Sequence, residues 1–381
     1  MRRHSSYTYR PLTILIIFML VVITAGWSPG SKSTQNKSKS NQYNLNDVVM
    51  STVLLATVYG EKDLTGSIKE SLDRLEREDL SWRIEDSQVA KVNQAGKDQS
   101  DEKAQTGDKA QVGDNRQAVS VSDEFYDWTA RSLELADKSE GAFDPSIGEL
   151  TRLWDIEGEN PKVPEEKALK DTMKRIGYEK IHLNPEKKEI APEGGVTLDL
   201  GAVGKGIACD RIKDLLDEDM IAQREDTGTQ GAIVSVGGSI LVYGKKPDGE
   251  KWTVAIQDPR GPDGEYMGVL SLDDTTVVST SGDYEKYFME NGKRYHHILD
   301  PHTGYPAESG LISVTVVCEN GLLSDGLSTA CFVLGKERGL KLLEEYGAEG
   351  VIIDKDKKVT VTDGLQKQLT ILNDSYKLMK E

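Results

Sequence analysis

Three features of the 381-residue sequence predict an α+β fold with mixed, largely antiparallel sheets and flanking helices. Short β-branched runs separated by glycine turns fill the second half of the chain. Helical spacing of apolar residues is confined to a few short stretches. The 36 glycines imply many tight turns. Strand runs with so few intervening helices favour this class over a doubly wound parallel sheet.

The predicted elements follow one another from Val48 onward. The β-branched run 48–60 predicts a strand, and apolar residues at helical spacing predict helices over 64–77, 123–138 and 165–176. The second half predicts a series of short strands, within the runs 196–201, 232–244, 252–259, 268–282, 287–301 and 311–318, and two more helices, over 206–216 and 323–332.

A single folded domain is predicted over 48–375. Residues 31–47 are almost entirely polar, which is typical of a flexible tether. Within the domain, the segment from about 95 to 118 has Val112 as its only large aliphatic residue, so we expect a disordered surface insertion there.

Residues 1–30 predict an export signal or membrane anchor. Residues 12–27 form an uncharged apolar run close to the minimum length of a membrane span. Three arginines precede the run, at Arg2, Arg3 and Arg10. This basic flank predicts a cytoplasmic amino end and export of the rest. Because the first cysteine is Cys209, a lipoprotein signal is excluded. We expect an uncleaved anchor at the outer face of the cytoplasmic membrane, with signal cleavage as the alternative.

The charge and cysteine counts argue against a nucleic-acid binder, a disulfide framework and a zinc site. The chain has 47 Lys and Arg against 64 Asp and Glu, a net charge of −17, which repels the phosphates of nucleic acid. We therefore expect no nucleic-acid partner. Its three cysteines have no paired spacing, which argues against a disulfide framework and against a zinc site.

Residues 197–216 contain a candidate phosphate-binding turn. A predicted strand ends at Gly201 and a predicted helix begins at Gly206, with Lys205 beside it. Backbone N–H groups and the N-terminus of a helix at such a turn bind anions. The glycine spacing matches neither the P-loop nor the dinucleotide-binding pattern. A tight strand-to-helix turn without a ligand is an equally good explanation.

Two further segments carry groups suited to catalysis. His296 and His297 are neighbours on a predicted strand, so at most one of them faces a site. An imidazole near Asp300 could take a proton from a hydroxyl; two ordinary polar residues at a strand end are the alternative. Asp325 and Thr329 lie four residues apart on a predicted helix, which places two oxygen donors suited to Mg²⁺ on one face. A helix-start acid without a metal is the alternative there.

Taken together and in this order, these segments resemble the FAD:protein FMN transferase (ApbE-type) family. The similarity runs from about Val48 to about Leu372. It rests on eight segments: MST at 50–52, LSWRIEDSQVAKVNQ at 80–94, GAFDPSIGEL at 141–150, DLGAVGKGIACD at 199–210, VGGSI at 236–240, STSGDYEKYF at 279–288, HHILDPHTGYP at 296–306 and SDGLSTACFVLG at 324–335. One departure is Ser51, where the family usually has glycine.

The resemblance implies an enzyme that uses Mg²⁺ to split FAD, transfers FMN to a threonine hydroxyl of a target flavoprotein, and releases AMP. The implied acceptors carry an Asp/Ser-Gly-Ala-Thr-like motif, as in subunits of Rnf and sodium-pumping quinone reductase complexes. The implied metal ligands are Asp325, Thr329 and the backbone carbonyl of Ala202. The implied base is His297, with His296 in reserve.

The implied FAD contacts complete this set of site residues. They are Met50, Gly141, Ala142, Asp144, Asp199, Lys205, Ser281, Gly282 and His296. Two alternatives remain open from the sequence. One is a Mg²⁺-dependent FAD pyrophosphatase, in which water replaces the threonine; the other is a catalytically silent protein that binds or stores FAD.

Overall fold

The structure, a computed structural model, describes residues 41–96, 117–223 and 228–379. The predicted anchor at 1–30, the first part of the predicted tether and nearly all of the predicted insertion lie outside these ranges. Within the described ranges, no helix combines the length and apolar character that a membrane span requires.

The described chain contains seventeen strands and eight α-helices. The strands are β1 (Asn41–Val49), β2 (Thr52–Gly60), β3 (Val119–Ser120), β4 (Ile181–Asn184), β5 (Glu189–Pro192), β6 (Gly231–Val236), β7 (Ser239–Gly244), β8 (Trp252–Gln257), β9 (Tyr266–Leu272), β10 (Thr276–Gly282), β11 (Tyr287–Glu290), β12 (Lys293–His296), β13 (Leu311–Cys318), β14 (Glu349–Asp354), β15 (Lys358–Val361), β16 (Leu369–Ile371) and β17 (Lys377–Leu378). The helices are α1 (Thr65–Arg74), α2 (88–96), α3 (Asp123–Lys138), α4 (Gly148–Trp154), α5 (Glu166–Met173), α6 (Gly201–Gln223), α7 (Gly321–Leu334) and α8 (Lys336–Tyr346).

A large sheet with layers on both faces organises these elements. Among the described residues it has nine strands, in the order β1-β2-β6-β7-β10-β13-β14-β15-β17. Each neighbouring pair is antiparallel except β15 and β17. Helices α6 and α7 pack on one face, where Val234 and Val314 belong to the same core as Ile207 and Phe332. The small sheet β16-β9-β8 covers the other face. The α+β class with largely antiparallel sheets is therefore confirmed.

The first strand corrects two of the sequence predictions. Residues 48–60 form a hairpin rather than one strand, because Met50 and Ser51 both adopt positive φ, 49° and 57°, as a two-residue turn requires. Strand β1 begins at Asn41, so the prediction of a tether as far as residue 47 is wrong over its last part. The strand is polar because it lies at an edge of the sheet, with alternate residues exposed. The fold also continues past residue 375, to strand β17.

Residues 196–201 do not form the predicted strand. Thr197 forms a single bridge with Ile147, and the side chain of Asn93 pairs with the backbone of Leu198. Its amide donates to the carbonyl oxygen of Leu198 at 2.9 Å and accepts from the N–H of Leu198 at 2.7 Å. This pairing satisfies a buried peptide group without a sheet. Helix α6 then begins at Gly201, five residues before the predicted start, Gly206.

The helix predictions over 123–138, 165–176 and 323–332 are confirmed within a few residues. Ser122 caps helix α3 by accepting from the N–H of Phe125 at 3.2 Å, and Asn320 caps helix α7 through Leu323 at 2.9 Å. The predicted helix over 64–77 is α1, which continues as a π-helix over Leu75–Leu80.

Candidate active site

Helices α6 and α7 come into backbone contact where they cross. A side-chain carbon on Gly206 would lie 2.0 Å from the carbonyl oxygen of Gly321, and one on Gly321 would lie 2.2 Å from the carbonyl oxygen of Gly206. Only glycine allows this approach. It brings Asp325 of α7 to α6, where its Oδ2 accepts the N–H of Gly206 at 3.0 Å. The prediction of a loop that cradles phosphate corresponds instead to the first turns of α6.

The Asp325 carboxylate is buried and faces a lysine. Only 2% of its side chain is exposed, and its Oδ1 lies 3.4 Å from Nζ of Lys205. Burial works to lower the pKa of Lys205, but Asp325, Glu285 and Glu157 raise it above its ordinary value, so the ammonium stays charged. The methylene stem of Lys205 lies against Gly237 in the β6–β7 turn, 3.4 Å from the position of a side-chain carbon there. The structure therefore places the predicted phosphate contact Lys205 beside the predicted metal ligand Asp325.

Hydroxyl groups surround Asp325 on α7 and on the end of β10. Oγ of Ser281 lies 2.7 Å from Oγ of Ser328 and 3.3 Å from Oγ1 of Thr329. Thr329 also donates to the backbone carbonyl of Asp325 at 3.4 Å. Asp325 and Thr329 thus share one side of α7, as the sequence predicts, and Ser281 joins them.

This donor set suits Mg²⁺. The described residues hold no group of three or more His, Cys, Asp or Glu side chains that could bind a metal. The candidate ligands are one carboxylate (Asp325), one hydroxyl (Thr329) and one backbone carbonyl (Ala202). Ala202 lies in the first turn of α6, and the N–H of Gly206, its ordinary helical partner, donates to Asp325. One carboxylate with neutral oxygens is a typical Mg²⁺ set when substrate phosphates complete the coordination.

The two histidines have different surroundings. The prediction placed both on one strand, but β12 ends at His296 and does not include His297. His296 is buried, its Nε2 lies 3.1 Å from the carbonyl oxygen of Ala307, and its ring packs edge-on against Phe332. Its assignment as an FAD contact is not supported, because almost none of its surface is open. The half-buried His297 contacts the carbonyl oxygen of Lys286 twice, through its N–H at 3.0 Å and through Nδ1 at 3.3 Å.

The contact of Nδ1 with the Lys286 carbonyl determines which ring nitrogen of His297 carries the proton. Because a carbonyl oxygen can only accept, Nδ1 carries the proton and Nε2 is left as the proton acceptor. Burial lowers the pKa of His297 to about 4; Glu157 opposes this shift, whereas Lys286 and Lys205 add to it. The structure therefore places His297, and not His296, among the charged groups around Lys205.

Several predicted FAD contacts surround this cluster. Met50 packs over α6, with its Cε 3.7 Å from the position of a side-chain carbon on Gly204, and its N–H donates to Glu76 at 3.0 Å. Asp199 accepts the N–H of Gly201 at 2.8 Å and thereby stabilises the start of α6. Gly282 follows Ser281 at the end of β10, and the Tyr284 ring occupies the space that a side chain there would fill.

The predicted contacts Gly141, Ala142 and Asp144 follow α3 in one buried turn. Both carboxylate oxygens of Asp144 accept backbone N–H groups, from Ser146 at 2.7 Å and from Tyr178 at 3.2 Å. Its carboxylate therefore holds this turn together. Ala142 is buried, and Gly141 has a φ of 77° and lies beside His302 and Tyr178. No hydrogen bond or ion pair described here joins this turn to Lys205 or Asp325.

Three charged residues of the cluster were not predicted from the sequence. Glu157 pairs with Lys286, which lies immediately before β11. Glu285 lies near Gly238, with Oε1 3.3 Å from the position of a side-chain carbon there. Burial raises the pKa of Glu285 to about 7, with Lys205 opposing and Asp325 adding to the shift, although part of the residue is accessible to solvent. Glu285 and Lys286 belong to the family-like segment 279–288, but the sequence gives no signal for the pairing of Lys286 with Glu157, far away in the chain.

Cavity volume does not locate this cluster. Two surface cavities of about 680 and 460 Å³ share Glu124 and Arg211 in their linings. None of the site residues predicted from the sequence lines either cavity. Charge and hydrogen bonding, not cavity size, therefore identify the candidate site.

Comparison with known proteins agrees with this geometry. The model of the ApbE family matches residues 50–352. The chain belongs to the ApbE family. Its curated relatives include the FAD:protein FMN transferase of Treponema pallidum, which is 31% identical in an alignment that covers 98% of this chain and 99% of the relative. The enzyme of the same name from Haemophilus influenzae is 33% identical over 260 residues, which cover 66% of this chain and 72% of the relative.

Solved structures of ApbE proteins share the fold. The crystal structure of the ApbE protein of Thermotoga maritima has a TM-score of 0.73 at 29% identity and covers 86% of this chain and 99% of its own. The apo flavinyl transferase ApbE of Pseudomonas stutzeri has a TM-score of 0.68 at 26% identity, with coverage of 86% and 97%. This ApbE-family chain is therefore a transferase, and its family acts on FAD.

Proposed function

We propose that this ApbE-family enzyme transfers FMN from FAD to a threonine hydroxyl of a target flavoprotein and releases AMP. One observation carries the proposal: the buried carboxylate of Asp325 contacts both the Lys205 ammonium and the N–H of Gly206, and one turn further along α7 the hydroxyl of Thr329 contacts that of Ser281. Positive charge and hard oxygen ligands at one point are what transfer at a pyrophosphate requires. The names of the relatives support the choice of flavin as the substrate.

Asp325, Thr329 and the carbonyl of Ala202 would hold Mg²⁺ in the working enzyme. The ion would neutralise the charge that develops on the phosphates when FAD is cleaved. Lys205 supplies a second positive charge at the same place, and its pairing with Asp325 keeps the ammonium oriented before FAD binds. The pyrophosphate would therefore meet charges that are already in position, so little reorganisation accompanies the reaction.

His297 would act as the general base. The threonine oxygen attacks the phosphorus of the FMN half, the bond from that phosphorus to the bridging oxygen breaks, and AMP leaves with the electron pair. The hydroxyl proton passes to Nε2 of His297, because Nδ1 already carries a proton directed at the carbonyl of Lys286. A neutral imidazole is the form present near pH 7, since burial lowers the pKa of His297 to about 4.

A transfer assay tests the proposal. The enzyme is incubated with FAD, Mg²⁺ and an acceptor flavoprotein that carries an Asp/Ser-Gly-Ala-Thr-like motif. Intact-mass spectrometry should show a gain of one FMN on the acceptor, and chromatography should show AMP. Free FMN and AMP with an unmodified acceptor would identify a pyrophosphatase instead. FAD that stays bound and intact would identify a storage protein. A sample with EDTA in place of Mg²⁺ should show no reaction.

The proposed site of action is the outer face of the cytoplasmic membrane. The apolar run at 12–27 and the arginines before it support this location. Flavoprotein subunits of Rnf or quinone reductase complexes are the proposed acceptors there. The full-length protein should sediment with membranes, and protease added to intact spheroplasts should degrade its folded domain. Full-length protein that stays in the cytosolic fraction would contradict this location.

A further inference from the structure

Glu157 is linked to the proposed base through Lys286. It lies in the loop after α4 and forms an ion pair with Lys286, which directly precedes the two-stranded ribbon β11–β12. His297 directly follows the same ribbon, and both of its contacts with Lys286 are to the backbone carbonyl of that residue. The base and the partner of Glu157 are thus joined at one end of the ribbon.

Three positively charged or protonatable groups act on His297 along with this acid. They are Lys286, Lys205 and His296, and each of them disfavours a proton on His297. Glu157 is the opposing charge. Burial works to raise the pKa of its carboxylate, although 43% of the side chain is exposed, but the interactions with Lys286, His297 and Lys205 hold that pKa below the ordinary value. Glu157 therefore stays ionised, and it is the group that favours a proton on His297.

We propose that Glu157 is a positioning residue for the His297 base. Its carboxylate neutralises Lys286, keeps the Lys286 carbonyl next to Nδ1 of His297, and offsets the positive charge that forms when Nε2 takes the threonine proton. In that step the threonine O–H bond breaks, the N–H bond at Nε2 forms, and the imidazolium keeps its Nδ1 proton on the Lys286 carbonyl. This role rests on the proposed function, because it assumes that His297 accepts the proton.

A histidine titration tests the role directly. Full-length protein labelled with ¹³C-histidine and purified in mild detergent has five imidazoles, and a His297→Gln variant identifies the signal of His297. Glu157→Gln should lower the pKa of His297 and Lys286→Met should raise it, each by about one unit, the size of effect of one nearby charge. Glu308→Gln is the matched control, because Glu308 pairs with Lys293 near the other end of the ribbon and should leave the pKa of His297 unchanged.

The pH profile of FMN transfer gives the second readout. In Glu157→Gln the acidic limb should move to lower pH and the plateau rate should fall, because a weaker base accepts the threonine proton less readily. A residue that only supports the fold would lower the rate without moving the limb.

An unchanged pKa of His297 in Glu157→Gln, with normal FMN transfer by the wild type, would overturn the role of Glu157 and leave the proposed function intact. If the wild type attaches no FMN under any condition, the proposed function fails and this role fails with it.

Discussion

Replacing Gly206 by alanine tests the helix crossing on which the site depends. The new methyl group would lie 2.0 Å from the carbonyl oxygen of Gly321, whereas ordinary contacts begin near 3.4 Å. The obstacle is backbone, so it cannot rotate away, and α6 and α7 must separate. Separation would also lengthen the bond from the N–H of Gly206 to Asp325, which is 3.0 Å in the structure.

The expected loss of stability combines three effects. Overpacking a close contact costs about 1 to 3 kcal/mol. Weakening a hydrogen bond to a buried charge costs about 1.5 to 3 kcal/mol. Alanine regains up to about 1 kcal/mol through its better helix propensity. The net decrease in the free energy of unfolding is therefore about 1.5 to 6 kcal/mol.

Urea unfolding followed by circular dichroism measures this loss, and Gly204→Ala is the matched control. A side-chain carbon on Gly204 would be 3.6 Å from Leu80 and 3.7 Å from Met50, which are ordinary contacts. Gly204→Ala should thus be unchanged or up to about 1 kcal/mol more stable. Equal unfolding midpoints for the two variants would refute the backbone contact between α6 and α7.

Three further predictions concern Asp325 and the histidines. Asp325→Asn should keep the acceptor for the N–H of Gly206 but lose the negative charge. AMP release should then fall by about 10²- to 10³-fold with the fold intact. Normal AMP release would refute the assignment of Asp325 as a metal ligand. His297→Gln should reduce the rate of FMN transfer by about 10²- to 10⁴-fold while FAD binding is kept. His296→Gln should reduce this rate far less. A larger loss of rate in His296→Gln would refute the choice of His297 as the base. Burial lowers the pKa of both histidines below 6.5, that of His297 to about 4. At acidic pH the unfolded chain therefore binds protons at these two residues more tightly than the folded chain does. The free energy of unfolding should not depend on either histidine above pH 6.5 and should decrease as the pH falls below 6.5, for His297 by up to about 1.4 kcal/mol per pH unit down to about pH 4 and for His296 in the same direction. A double variant that lacks both imidazoles should show a smaller decrease in urea titrations, and an unchanged one would contradict this sign.

Features set by local sequence were predictable from it. Helix α3 shows apolar residues at helical spacing and a serine cap, so its bounds could be predicted closely. The common side of Asp325 and Thr329 follows from four-residue spacing on one helix. The opposite surroundings of His296 and His297 follow from the alternation of a strand, although the strand ends between them.

Features set by distant contacts were not predictable. Strand β1 is polar because it lies at a sheet edge, and its composition is also typical of a tether. The backbone of Leu198 pairs with the Asn93 amide, 105 residues away. The pairing of Glu157 with Lys286 joins positions 129 residues apart. Gly206 suggested a phosphate loop, whereas its lack of a side chain serves the contact with Gly321.

The ratio of AMP released to FMN attached tests the proposed transfer most directly. With an acceptor that carries its threonine, the enzyme, FAD and Mg²⁺ should give one AMP for each FMN found on the acceptor. With the acceptor's threonine replaced by valine, which has the same shape without the hydroxyl, both products should disappear together. AMP release that continues at the same rate with the valine acceptor would show that water is the nucleophile and would contradict the account.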